Sequence, residues 1–487
     1  MMLHYGVPRE SLNPMLRNKH GGVAVIKCVL LLIMALVAGT PSVGAKSSLP
    51  YPAGECVSGR YELLGGESQT QDFVLGLAPI QGDSFWSLGY GVAQNPDNKA
   101  KTPLVLFPTV RQGLPDPNAG PNGVLGRFPT RQSRVSSLTL GVPAPLAQYW
   151  NGQQFHSAVL PSIKGVQQDM QAAVTVAGRS TGVVGSNIVW AVGTAYFTNS
   201  PPSIYTMRWL GNNASNGGWT SIPVPVILNS ESTVLRALSA IADNDVWAVG
   251  SWYKTDVGYQ NLAMHWNGVV WSVISTPSPS TFQSLYAVTS VNANDVWATG
   301  AIEGPNGGRT LTLHWDGSTW TIVPSPSPLA AAWLNGVTAL AANDVWAVGR
   351  VFPTSNPFVT QTLTLHWNGL AWTIVPSPNA GPTGSSNELL AVTATSADDV
   401  WTAGDWRVDT NHSATLILHY AAGHWTEIST PNLGPLQNSL YTIRAGSIAA
   451  DPQAGCGRTI WAAGGYYDTN GIAHPLHMRY ILSALVP

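Results

Sequence analysis

The chain has 487 residues, 44% hydrophobic and only 10% charged, with 49 glycines, 36 prolines and 20 tryptophans. A formal net charge of −2 excludes a general nucleic-acid binder, which needs a basic footprint. Length alone suggests about two or three domains, but an internal repeat replaces that expectation with one large body built from stacked units.

The N-terminus reads as an export leader. Arg17, Lys19 and Lys27 precede the apolar run Cys28–Val37, and Ser42-Val43-Gly44-Ala45 offers a small-residue cleavage site. Cleavage is expected after Ala45, so residues 1–45 form a signal peptide and the product is secreted, extracellular or at the cell surface. The segment before the apolar run is long, and the alternative is an uncleaved anchor. Only in that case does the chain meet a membrane, and its apolar core is shorter than the ~20 residues of a comfortable span. Cys28 precedes that core and does not suit lipid attachment. The mature chain keeps Cys56 and Cys456, and export permits a disulfide between them.

Residues 46–487 are expected to form a single domain of seven similar units. Each unit reads as four short strands, because period-2 apolar patterns alternate with Asn, Asp, Gly and Pro clusters. In unit 1, FVLGLAPI and DSFWSLG supply two strands, and the third is expected at Gln148–Trp150. Between them, at about 90–146, lies a Pro/Gly-rich insertion with Lys99, Lys101, Arg111, Arg127, Arg131 and Arg134 against Asp97 and Asp116. Loops of this length are functional or disordered; one added strand is expected at Leu104–Phe107. Unit 2 is degenerate, with Ile188 where other copies carry Asp. Units 3 to 6 are regular. Unit 4, Leu285 to Pro326, is the clearest, and Asp316-Gly317 in it signals a two-residue hairpin turn.

Unit 7 has three strands, LYTIRAGSI, TIWAAGGYY and LHMRY, and lacks a fourth-strand Trp. Arg60–Leu64 is expected to supply that strand, which removes an unpaired edge and closes the ring. The links from strand 1 to 2 and from strand 3 to 4 share one rim of an antiparallel unit. Cys456 sits in the first kind of link, and Cys56 just before the borrowed strand. A Cys56–Cys456 disulfide locking the closure is therefore expected; two unrelated thiols are the alternative.

The second strands carry Trp86, Trp190, Trp247, Trp297, Trp346, Trp401 and Trp461. The third strands carry Trp150, Trp209, Trp266, Trp315, Trp367, Tyr420 and Tyr480. Central copies are about 50 residues apart, a propeller spacing, and no helical periodicity competes. The fold expected is all-β: a seven-bladed β-propeller of four-stranded antiparallel blades. Asp245, Asp295, Asp344 and Asp399 recur once per blade and read as turn residues that bond backbone N–H groups. His265, His314, His366 and His419, replaced by Arg208 and Arg479 in two copies, read as polar blade flanks. The tryptophans read as packing between blades, since each aromatic buries roughly 150–250 Å².

DVWAVG at 245–250 and 344–349, followed by LHWNG or LHWDG and a further Trp, resembles the DVWAVG-repeat propellers of exported bacterial proteins. These are loosely similar to kelch, tectonin and Asp-box repeats. The resemblance covers blades 2 to 7 well and implies a fold rather than an activity. The kelch Gly-Gly pair is missing from most copies, and His314–Trp320 is one residue short of an Asp box. Spacing shows no central Arg/Glu/Tyr cluster of the sialidase kind. No phosphate loop, Cys/His metal array, HExxH or GxSxG occurs, so no cofactor or metal is expected. Asn213-Ala214-Ser215 and Asn411-His412-Ser413 match the glycosylation pattern.

Shared residues serve the frame, so function is sought where copies differ at one equivalent place. That place is just after the Gly that closes the second strand. The candidates there are Tyr196, Trp252, Tyr253, Glu303, Arg350, Phe352, Trp406, Arg407, Tyr466 and Tyr467. They lead into the loops between strands 2 and 3, on the rim that carries the long insertion. Aromatic platforms with nearby polar groups suit sugars or peptide segments; the structural alternative is strand-end aromatics packed beneath their own loops. The reading adopted is an exported, monomeric, non-enzymatic binding or scaffold propeller whose partner is an extracellular glycan or protein. The alternative is a carbohydrate-active hydrolase or lyase, for which low carboxylate content leaves few acid–base pairs.

Overall fold

The structure is a computed structural model. It describes residues 58–64, 70–80, 84–93, 143–158, 160–161, 167–177, 187–197, 200–211, 218–304, 307–328, 331–353, 359–409, 411–446 and 459–483. The leader, the 94–142 link with its expected strand at Leu104–Phe107, Asn213, and the expected Cys56–Cys456 pair all lie outside the described residues. Every element among the described residues is a strand, and the strands form seven four-stranded antiparallel sheets. The fold is a seven-bladed β-propeller.

Six blades run in simple chain order. In blade 4, Gln283–Asn292, Asp295–Gly304, Gly307–Trp315 and Trp320–Ile322 pair successively outward. In blade 7, Asn438–Ala445, Thr459–Tyr467 and Ala473–Ser483 are followed by Ser58–Leu63 from the far end of the sequence. Glu62 stands opposite Arg479 in that pairing and accepts its Nε–H at 3.0 Å. The first strand of each blade touches the first strands of both neighbours, blade 7 with blade 1 included. The first strands therefore surround the axis.

The core lies in the seams. Trp247 of blade 3 packs against Trp315 and edge-on against Trp320 of blade 4, with ring centroids 5.1 and 5.2 Å away. Trp297 does the same with Trp367 and Trp372 of blade 5. Such T-shaped and tilted contacts satisfy the aromatic quadrupoles. In the seam between blades 7 and 1, Trp461 meets Phe85 at 4.8 Å.

Two local expectations change. The Asp316-Gly317 turn is a four-residue loop, because Trp315 already pairs with Trp320. The Asp316 carboxylate accepts the Ser318 hydroxyl at 2.7 Å and the N–H groups of Thr319 and Ser318, both at 2.8 Å, and these bonds hold its pKa far below the carboxylate range. The repeated Asp engages a histidine of the third strand. His265 stands opposite Trp247 and diagonal to Asp245, so its ring stacks 4.5 Å from the indole while Nε2 reaches Asp245 at 2.8 Å. His314–Asp295, His366–Asp344 and His419–Asp399 repeat this arrangement. In blade 2, where Ile188 replaces the Asp, Arg208 covers Trp190 and pairs with Asp243 of blade 3.

Candidate functional site

Each first strand contains a β-bulge at the same place. At this place the pairing skips Leu75, Gln171, Arg236, Tyr286, Asn335, Leu390 and Tyr441 in blades 1 to 7; blades 3 to 6 have a second shift near the far end of the same strand. The skipped residue lies between an apolar and a small residue, as in Leu235-Arg236-Ala237 and Leu285-Tyr286-Ala287. Bulges bend the strand and re-aim side chains. They also explain the repeated glycine of the second strand. A Cβ on Gly250 would stand 1.9 Å from the Val234 carbonyl oxygen, and one on Gly404 1.9 Å from that of Glu388. The glycine admits the bulged strand rather than ending its own.

The second strands accordingly run past that glycine, to Lys254, Phe352, Arg407 and Tyr467 in blades 3, 5, 6 and 7. The ten candidates are strand residues, and alternation divides most of them. Trp252, Trp406 and Tyr466 turn into the seams and pack on the clusters there. Tyr196, Tyr253, Arg350, Phe352, Arg407 and Tyr467 point to the other face. Tyr467 and Phe352 are buried, against Phe73 and Trp333. Glu303 is exposed and accepts the hydroxyls of Ser280 and Thr281 at 3.2 and 3.1 Å.

Bulge residues and second-strand residues together make a polar inner rim. In blade 2, Asp169 accepts the Thr194 N–H at 3.0 Å, the Gln171 amide at 2.7 Å and the Tyr196 hydroxyl at 3.4 Å. Burial raises its pKa in spite of these bonds and of the nearby Arg236 charge. In blade 5, Arg350 lies 4.2 Å over the Trp333 ring and pairs with Glu388 of blade 6 at 2.6 Å. Asn335 donates to the other Glu388 oxygen at 2.9 Å. In blade 6, Arg407 grips Asp405 through two bonds of 2.7 and 3.2 Å, and Asp405 raises the Arg407 pKa. Burial, then the Asp405 charge, pushes Tyr441 up to about 12.

Blade 3 differs. Ser232, Val234, Arg236, Ser251, Trp252, Tyr253 and Tyr259 line a narrow cleft with room for about one water. Tyr253 and Tyr259 stack with centroids 4.6 Å apart, and the Arg236 guanidinium lies 5.6 Å from the Tyr286 ring of blade 4. Burial pushes the Tyr259 pKa up to about 12 and lowers that of Arg236. A second, wider groove of about 210 Å³ runs between Trp406 and Val408 of blade 6 and the Pro435-Leu436 segment leading into blade 7. Sequence position alone puts Trp252 and Tyr253 on the rim and leaves Arg236, Tyr259, Asp169 and Glu388 unmarked. The apolar–x–small pattern around each bulge, with x the variable position, is the signal that marks the inner ones.

Among the described residues no group of three or more His, Cys, Asp or Glu side chains could hold a metal ion. Glu388 and Asp405 stand opposite each other on neighbouring strands, but each engages a guanidinium.

No protein-family model and no curated protein matches the sequence. Among solved structures, the chain is similar to a protein of unknown function from Dyadobacter fermentans at 10% identity, covering 87% of this chain and 98% of that one, with a TM-score of 0.47. It is similar to YCF48 bound to D1 peptide at 11% identity, over 86% and 96% of the two chains, with a TM-score of 0.43. A third is the alpha-L-arabinanase of Penicillium chrysogenum complexed with arabinobiose, at 11% identity, 64% and 92% coverage and a TM-score of 0.38.

Proposed function

We propose that this chain is an exported, non-enzymatic binding propeller that engages an extracellular glycan or protein partner through the rim where the second strands end. The observation that carries the reading is the blade 3 cleft, where Tyr253 and Tyr259 stand beside Ser232, Ser251 and Arg236. Stiff rings next to polar groups bury ligand area with little entropy loss. The DVWAVG-repeat resemblance and the leader fit an exported scaffold of this kind. A hydrolase needs one carboxyl group free to donate a proton and a second free to act as base or nucleophile. Glu388 and Asp405, the neighbouring pair on this rim, are both committed to arginines.

The test is a glycan array probed with the full mature chain, run beside affinity capture of extracellular proteins. Tyr253→Ala should weaken capture of the ligand at least about 10-fold while the fold is retained, the scale of a central aromatic contact. Unchanged affinity in a folded Tyr253→Ala protein removes the rim reading. Release of reducing ends from polysaccharides by wild type would favour the hydrolase instead.

A further inference from the structure

We propose that the groove of blade 6 is a subsite for one uncharged sugar ring of a longer glycan. It lies at a different place on the rim from the blade 3 cleft, and the two stand or fall separately.

The walls of the groove are tied down by the protein's own bonds. Asn438 is 1% exposed; its Oδ1 accepts the Gly434 N–H at 3.0 Å, and its Nδ2 donates to the Gly434 and Ser413 carbonyls at 2.8 and 3.2 Å. Asn432 accepts the Thr415 N–H at 2.9 Å, which ties the link between blades 6 and 7 to the third strand of blade 6. In the hairpin that follows Val408, Asp409 accepts the N–H groups of Asn411 and His412 at 2.7 and 2.9 Å and holds Nδ1 of the His412 ring at 2.8 Å. Walls fixed in advance spare a ligand the cost of ordering them.

Three side-chain groups of the lining keep no partner among the described residues: Nδ2 of the exposed Asn432, Nε2 of His412 and the indole N–H of Trp406. A Cβ added to Gly381 would stand 2.4 Å from Cε3 of Trp406, so the six-membered edge of the indole packs there and its N–H edge lies on the other side. Val408, Pro435 and Leu436 supply apolar surface. No Lys, Arg, Asp or Glu lines the groove, and a charged ligand would lose water there with no opposite charge to meet. An extended peptide binds by adding to a free strand edge. Here that edge is taken, because the Ser413 N–H donates to the Leu436 carbonyl at 3.2 Å and the Thr415 N–H to Asn432. A pyranose answers what remains: hydroxyls around its edge for the amide, imidazole and indole, and C–H faces for the apolar wall. At about 210 Å³ the groove falls below the roughly 300–1,000 Å³ of pockets that enclose a small molecule, so it takes one ring of a longer chain.

The experiment titrates the full mature chain with short uncharged oligomers of glucose, mannose, galactose and xylose, with oligogalacturonates, and with an array of extended peptides. Oxidation of tryptophan by N-bromosuccinimide, read by mass spectrometry, locates the bound sugar. At least one uncharged oligomer should bind and slow the oxidation of Trp406. Asn432→Asp keeps the Oδ1 acceptor for Thr415 and loses the N–H donors, and it should weaken that binding about 3- to 10-fold, the scale of one hydrogen bond. Binding without protection of Trp406, or equal affinity in folded Asn432→Asp, overturns the proposal. Should Asn432→Asp not fold, His412→Ala, at a side chain 53% exposed, takes its place under the same criteria. Binding of oligogalacturonates only, of peptides only, or of nothing also overturns it. A sugar lost in Tyr253→Ala but kept in Asn432→Asp overturns the subsite and leaves the blade 3 reading standing; one lost in Asn432→Asp and kept in Tyr253→Ala supports the subsite and counts against blade 3.

Discussion

The hydroxyl of Ser87 in blade 1 lies 2.8 Å from Nε2 of His477 in blade 7, inside the seam that joins the two ends of the sequence. His477 is 3% exposed and sits between Phe85 and Phe155. Burial disfavours its charged form and pushes its pKa down to about 3. The folded value is below the unfolded one, so the neutral ring's contribution to stability is complete above pH 6.5 and is lost as pH falls from there towards 3. The expected slope is about 1.4 kcal/mol per pH unit for one proton. Denaturant midpoints between pH 6.5 and 4.5 should fall along that slope in wild type and flatten in His477→Gln. An identical pH dependence in the two proteins would remove His477 as the acid-sensitive group.

The glycine opposite each bulge is expected to be intolerant of a side chain. In Gly250→Ala the new Cβ meets a backbone carbonyl at 1.9 Å, so the bulge must shift or unpair. A loss of roughly 2–4 kcal/mol is expected, in the upper range for strained backbone sites. The carbonyl is main chain and cannot rotate away as a side-chain tip would. Chemical denaturation measures it, and a loss under about 0.5 kcal/mol, the scatter of ordinary surface changes, would show that the register is not fixed there.

Arg350 and Arg236 should respond to the same substitution in opposite directions. Arg350→Met takes the guanidinium from Glu388, which is 7% exposed. Removing one partner of such a pair costs about 3–5 kcal/mol. Arg236→Met removes a charge that no described residue neutralises, and its stability should be equal to or above wild type while ligand affinity falls. Stability given up at a functional site is the expected trade. Thermal melts of both variants beside wild type decide it: destabilisation by Arg236→Met comparable to Arg350→Met would make Arg236 a structural residue.

The N-terminal strand offers a fourth test. A chain beginning after residue 64 lacks the partner of Ala473–Ser483 and leaves the Arg479 guanidinium without Glu62. An unpaired edge strand invites pairing with another chain. The truncated protein should melt at lower temperature and self-associate in light scattering, whereas Glu62→Gln in the full chain should cost only about 1 kcal/mol, as befits a partly exposed pair. Retained stability and monodispersity after truncation would show that Ser58–Leu63 is dispensable.

The sequence by itself determined the number of blades, their four-strand make-up and the tryptophans of the seams. Those features repeat, and a repeat compares each residue with its counterparts. Trp247 and Trp297 could be assigned to packing because five other blades place a Trp at the same position. Local signals also told which residues follow the glycine of the second strand, but not what that glycine does. Gly250 looked like an ending because glycine punctuates chains; it is an opening for the bulge beside it, a relation between two strands that no single strand carries. Only the tertiary structure decided that Asp245 holds His265 instead of a turn, because diagonal contact depends on the register between strands. Only it separated Trp252, facing a seam, from Tyr253, facing the inner rim, and set Arg236 beside residues from blades 2 and 4. A bulge shifts the period-2 alternation by one residue. Past it, neighbours in sequence cease to predict the face they share, and the inner rim is built from residues on that far side.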